Sequence, residues 1–301
     1  MIKHFILLTC LILFFSSCGI QENKKIKISI TTWIGYTPLF YAKEKKWLEP
    51  FNIKLLNVVS LSENMYLYKA GNSDAYVGTQ YEYNLLSNEN KNLTPIMLFD
   101  KSNGGDVILS NISIEELLKT DKQIDAYLEI DSINSILLED FLKIYNLKNK
   151  KINYINEDQA YISKLNSKNL ENPTIIVTYT PYNYDLEKNG FNELSSTKNN
   201  SNLLVIDAMF TNEDFFNENK KEFLALKNLV DKALLELANN PKEFYETIKL
   251  YLPNTSYEEF LASLNDIVWI NSNVPEEIIT KLRNSNFKTR DIIKWFLTYE
   301  D

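Results

Sequence analysis

The side chains best placed for chemistry sit where strand-like segments give way to helix-like ones. The stretch KIKISITTWIGYTPLFYAKEKKWLE, residues 25–49, runs an alternating pattern into Trp33, Gly35 and Tyr36. A helix follows with Pro38 in its first turn, where a missing N–H costs nothing. Two other junctions repeat the arrangement, Tyr81 after DAYVGTQ and Tyr182 and Tyr184 after TIIVTYTP. One such ring packs a core as readily as it lines a pocket. Three corresponding junctions favour a pocket whose rings stack on a planar ligand or cage a cationic one. Thr79 and Gln80 belong to the second junction.

Polar groups gather at the same places. FDKSNGGDVIL, residues 99–109, sets Ser102, Asn103 and Asp106 around Gly104 and Gly105. Backbone N–H groups and short side chains in such a loop can grip a small polar solute, or the segment is a hairpin turn. Five of the seven glycines fall between residues 35 and 105. Gly35, Gly78 and the Gly104–Gly105 pair follow strand ends, where the backbone must turn or approach something closely. Asp131 or Ser132 caps the helix in EIDSINSILLEDFLKIY; that N-terminus is an ordinary cap or, facing a cleft, a seat for an anionic group. Asp207, in VIDAMF, pairs with a ligand amine or braces the chain.

Several chemistries are excluded by what the chain lacks. His4 is the only histidine, and Cys10 and Cys18 the only cysteines. Beyond residue 18 no imidazole or thiol can serve as base, nucleophile or metal ligand. No phosphate loop, zinc-protease motif, paired-cysteine motif or serine elbow occurs, so no metal, cofactor or catalytic residue is expected. The formal charge is −8 with acidic and basic residues interspersed, which argues against nucleic acid. Arg283 and Arg290 are the only arginines after the opening segment, and Lys101 the only base in the loops named above. Since bidentate recognition of sulfonates and carboxylates usually enlists Arg, the residues lean towards a planar or amine-bearing solute and away from a simple inorganic anion.

The opening residues carry a different signal. Lys3 precedes an apolar run from Phe5 to Phe15, then Ser16, Ser17 and Cys18. The run is too short to span a bilayer and fits the apolar region of an export signal. It resembles a bacterial lipobox, so residues 1–17 are expected to be a signal peptide, Cys18 a lipidation site and residues 18–25 a tether. An ordinary cleaved signal is the alternative.

The elements that position these residues alternate. Strands are expected at 26–31, 53–58, 74–78, 94–99, 106–109, 124–128, 152–155, 174–178 and 203–209, with helices between them. This predicts an α/β protein with mainly parallel sheets. From about residue 220 the pattern is helical to the end, broken at Pro241, Pro253 and Pro275. Two lobes are expected, one from 26–110 and 205–301 and one from 111–204, joined by two crossing segments.

In order, WIGYTPLFYAKEKKWL, DAYVGTQYEYNLL, DKSNGGD, VTYTPYNYDLEKNGFNEL and LLVIDAMF resemble the solute-binding lipoproteins of nitrate/sulfonate/taurine-type ABC importers, thiamine-precursor-binding relatives included. The resemblance implies a two-lobed, type II periplasmic-binding fold without catalysis. It implies a monomer on the outer side of a bacterial membrane that captures a small solute and delivers it to an ABC permease in the inner membrane. Pocket contributions correspond to Trp33, Tyr36, Thr79, Gln80, Tyr81, Ser102, Asn103, Asp106, Ser132 and Tyr182. Sensing through a membrane partner is the alternative, and a biosynthetic enzyme on this fold a more distant one.

Overall fold

A computed structural model describes residues 25–198, 203–252, 254–284, 287–288 and 292. The expected signal, Cys18, the tether up to residue 24 and Arg290 lie outside the described residues. Strand and helix alternate first through β1 (Ile26–Ile30), α1 (Thr37–Glu44), β2 (Ile53–Asn57), α2 (Leu61–Lys69), β3 (Ala75–Thr79), α3 (Gln80–Ser87) and β4 (Leu93–Ser102). The chain then crosses through 103–105 into β5 (Asp106–Ser110), α4 (Ile114–Lys119), β6 (Ile124–Leu128), α5 (Ile133–Ile144), β7 (Ile152–Asn156), α6 (Gln159–Ile162), β8 (Thr174–Tyr179), α7 (Tyr182–Lys188) and β9 (Asn192–Ser196). It returns through β10 (Ile206–Asn212) to α8 (Glu213–Glu218), α9 (Lys220–Asn239), α10 (Pro241–Ile248), α11 (Tyr257–Ser263), β11 (Ile267–Trp269) and α12 (Glu276–Asn284).

Two sheets result, ordered β11-β4-β10-β3-β1-β2 and β7-β6-β8-β5-β9. They are mixed, not mainly parallel. β1 runs parallel to β2 and β3, and β6 to β7 and β8. β10 is antiparallel to β3 and β4, and β5 to β8 and β9. The crossing strands cause this: β5 and β10 enter their sheets from the other lobe, not over a helical crossover, and a helical crossover is what parallel pairing requires. β5 pairs within the second sheet, so the chain leaves the first sheet at 103–105, a few residues before the expected division. The tail is not helical throughout either, because β11 pairs antiparallel with β4. Three residues are too few to show an alternation.

Local chemistry explains the boundaries. Ser60, Thr79, Ser113, Ser132 and Ser256 each cap a helix through a side-chain oxygen. TIIVTY of β8 and AYVGT of β3 are buried throughout, which is why they lack the regular apolar–polar alternation of a half-exposed strand. In α9 the buried Phe223, Leu226, Val230, Ala233 and Leu237 form one stripe. That helix and α10 pack on α1 and so fix the helix that follows Trp33 and Tyr36.

Candidate ligand-binding site

A narrow cavity, with free room of only about 10 Å³, lies between the two sheets. Thr31, Trp33, Tyr36, Leu61, Thr79 and Asp207 line it from the first lobe, and Asp106, Ile133 and Tyr179 from the second. The first sheet contributes through the ends of β1 and β3, the crevice position at which open α/β sheets bind ligands. The free room is about what one water needs, so the lobes stand closed over the site in this arrangement.

The aromatic wall depends on two glycines. Trp33 is buried, meets Tyr179 edge-on with ring centroids 5.9 Å apart, and donates its indole N–H to the Asp100 carboxylate at 3.2 and 3.3 Å. A Cβ on Gly35 would stand 1.8 Å from Asp100 Oδ2, and one on Gly105 only 2.4 Å from Trp33 Cη2. Glycine at both positions therefore leaves space for the indole and its acceptor. Tyr36 lies edge-on to Phe99 at 5.6 Å and donates its hydroxyl to Asp207 Oδ1.

The electrostatics are one-sided. Asp100, Asp106, Asp207, Glu82 and Glu129 are all buried in or just behind the wall, and among the described residues no Lys, Arg or His lines the cavity. Burial pushes Asp106 up to about 7 and Glu129 up to about 8, against hydrogen bonds that pull both down. Asp100 and Asp207 are register neighbours on β4 and β10. Burial raises both well above the usual carboxylate range, and the charge of Asp100 raises Asp207 further. Burial likewise raises Glu82.

Two of these carboxylates reach across the gap. Glu82 Oε2 accepts from the backbone N–H and hydroxyl of Thr79, at 2.7 and 2.6 Å, while its Oε1 accepts from the N–H of Ile133 at 2.8 Å. Glu129 answers from the second lobe: Oε2 accepts from the N–H of Leu61 at 2.9 Å and Oε1 from the Tyr179 hydroxyl at 3.3 Å. Each lobe thus sends a carboxylate to the first turn of a helix in the other. Nearer solvent, the Tyr66 hydroxyl donates to Asp131 Oδ2 at 2.9 Å.

No protein-family model and no curated protein matches the sequence. Solved structures do. A ligand-binding component of an ABC-type import system from Staphylococcus aureus, with zinc bound, matches with TM-score 0.69 and 15% identity over 93% of this chain and 99% of that one. The alkanesulfonate-binding protein SsuA from Xanthomonas axonopodis pv. citri, bound to MOPS, matches with TM-score 0.67 and 12% identity over 88% and 91%. A Candida albicans gene product exhibiting the generic periplasmic binding protein fold matches with TM-score 0.65 and 12% identity over 88% and 96%. The chain has the periplasmic-binding-protein fold.

Within that fold the expected site residues separate into two layers. Trp33, Tyr36, Thr79, Asp106 and Asp207 line the cavity. Gln80 does not: it binds the chain entering β10, donating to the Leu204 carbonyl and accepting from the N–H of Ile206 at 2.7 Å. Tyr81 sits half-buried at the start of α3. Ser102 bonds Thr197 at 2.8 Å and accepts from the Asp106 N–H at 3.2 Å, and the Asn103 N–H donates to the Asp266 carbonyl. Ser132 caps α5 and donates to the Glu129 carbonyl at 2.7 Å, leaving its neighbour Ile133 on the wall. Tyr182 stands behind Tyr179, ring centroids 5.6 Å apart. Tyr179, which ends the strand that precedes Tyr182, and Thr31, beside Trp33, join the wall without being among the expected residues; their strand-end positions are the signal that marks them. Leu61, Ile133, Glu82 and Glu129 gave no signal, since only the pairing of the lobes brings them together.

Proposed function

We propose that this chain is an extracytoplasmic solute receptor that holds a small organic solute between its lobes and delivers it to an ABC-type permease in the inner membrane. A lipid on Cys18 keeps it at the membrane surface as a monomer. The observation that carries the reading is the small buried cavity lined from both lobes, with carboxylate bridges across its edges. Solute contacts made to both lobes at once favour the closed arrangement, and a solute shifts that equilibrium only by its differential affinity for the two states. The import-system components that share the fold support this role.

Thermal unfolding of the full chain in mild detergent against a solute panel tests the proposal. The panel holds taurine, alkanesulfonates, nitrate, pyrimidines, betaines and polyamines. Ligand bound to the native state alone stabilises by about 2.7 kcal/mol at a hundredfold excess over Kd, a clear rise in Tm for one class. No shift with any class, together with no small molecule carried by the protein in native mass spectrometry, would overturn the receptor reading.

A further inference from the structure

The cavity makes an unusual demand on its occupant. Asp106, 4% exposed, lines it with Oδ2 free of any hydrogen-bond partner. Thr31, 1% exposed, lines it with an equally unpartnered Oγ1. Buried polar atoms are nearly always paired, so two orphans facing one space imply a partner that arrives with the ligand. When ionised, as it would be beside a cation, the first can only accept, and the hydroxyl can accept as well as donate. An N–H donor can therefore satisfy both.

The places where an anion would dock are already filled. A helix N-terminus presents free backbone N–H groups and favours negative charge. Two helices long enough to do so begin at this cavity, α2 at Leu61 and α5 at Ile133. The Leu61 N–H is taken by Glu129 and the Ile133 N–H by Glu82. With the wall's own carboxyl groups on those donors, an incoming anion does not find these two N–H groups free.

We infer that the solute is a small organic cation bearing N–H donors, an ammonium or amidinium, held by Asp106 and Thr31 against the faces of Trp33, Tyr36 and Tyr179. This rests on the receptor reading and names its substrate class. A charge-assisted bond to the buried carboxylate supplies most of the discrimination, and the rings add attraction for a desolvated cation.

Probes sharing one ring but differing in head group test it by calorimetric titration of the full chain: benzamidinium and benzylammonium, neutral benzamide, and the anions benzoate and benzenesulfonate. The cations are expected to bind at least about tenfold more tightly than benzamide, and the anions not at all. Asp106→Asn, nearly isosteric, should lower cation affinity about tenfold or more, and Thr31→Val by a smaller factor, with circular dichroism confirming that both fold. Equal binding of benzamide and benzamidinium, tighter binding of either anion, or full cation affinity in both variants would overturn the inference. If a sulfonate or nitrate from the wider panel binds while no cation does, the receptor reading stands and the inference falls. If nothing binds in either series, both fall.

Discussion

Asp106 and Glu129 hold protons at pH values where free carboxyls have already released them. Their unfolded values lie near 3.9 and 4.3. Folded, they titrate at about 7 and about 8 because burial disfavours the ionised form. Between these limits the folded state binds more protons than the unfolded one, so their contribution to stability is full below about pH 4 and is lost as pH rises. Glu243 and Glu259, held low by Lys45 and Lys188, work in the opposite sense only at acid pH. The ligand-free protein should therefore lose several degrees in Tm between pH 5 and pH 8.5, as calorimetric scans would register; a flat or rising profile would contradict the burial argument. Gly35→Ala drives a methyl into Asp100 and the Trp33 indole. Its expected cost is about 1–3 kcal/mol in urea unfolding, with weaker ligand binding because Trp33 must shift. Tyr36→Phe leaves Asp207 without its donor, at an expected cost of about 1–3 kcal/mol. Trp33, Tyr36, Asp106 and Asp207 were legible as strand-end residues. Gln80, Ser102 and Ser132 occupy equally suggestive positions but bond the backbone around the cavity, since the direction of a side chain at a strand end depends on neighbouring loops.

Among the elements, the cross-lobe bridges carry the mechanism. The first turns of α2 and α5 give up N–H groups to Glu129 and Glu82, so closure satisfies donors that open lobes would leave to water. Glu129→Ala removes one bridge and the acceptor of the Tyr179 hydroxyl. Ligand affinity should fall about tenfold by titration calorimetry, because the lobes lose one contact that holds them together. Most of the elements were legible before the fold was known: buried runs such as TIIVTY and capped amphipathic helices carry strong periodic signals. The direction of β5 and β10 was not, because alternation of strand and helix suggests parallel pairing and says nothing of a strand that enters from another lobe. β11, three residues long, has no periodicity to read.

At the scale of the whole molecule, two mixed sheets meet over a small acidic cavity, and in the receptor we propose a solute that touches both lobes would link binding to closure. The need for more than one sheet was legible because the expected strands outnumber one small sheet. The acidity of the interior was not, because Glu82 and Glu129 lie 47 positions apart and become neighbours of one space only after both lobes fold. Closure is open to direct measurement once Cys10 and Cys18, the only native cysteines, are replaced by Ser. Spin labels at Asn88→Cys and Lys148→Cys, exposed positions on the first and second lobes, would report the distance between them by pulsed electron resonance in the full chain. Saturating ligand should narrow the distribution about one distance that Asp106→Asn shifts back towards a broader one. An interlobe distribution unchanged by a ligand that demonstrably binds would contradict the account.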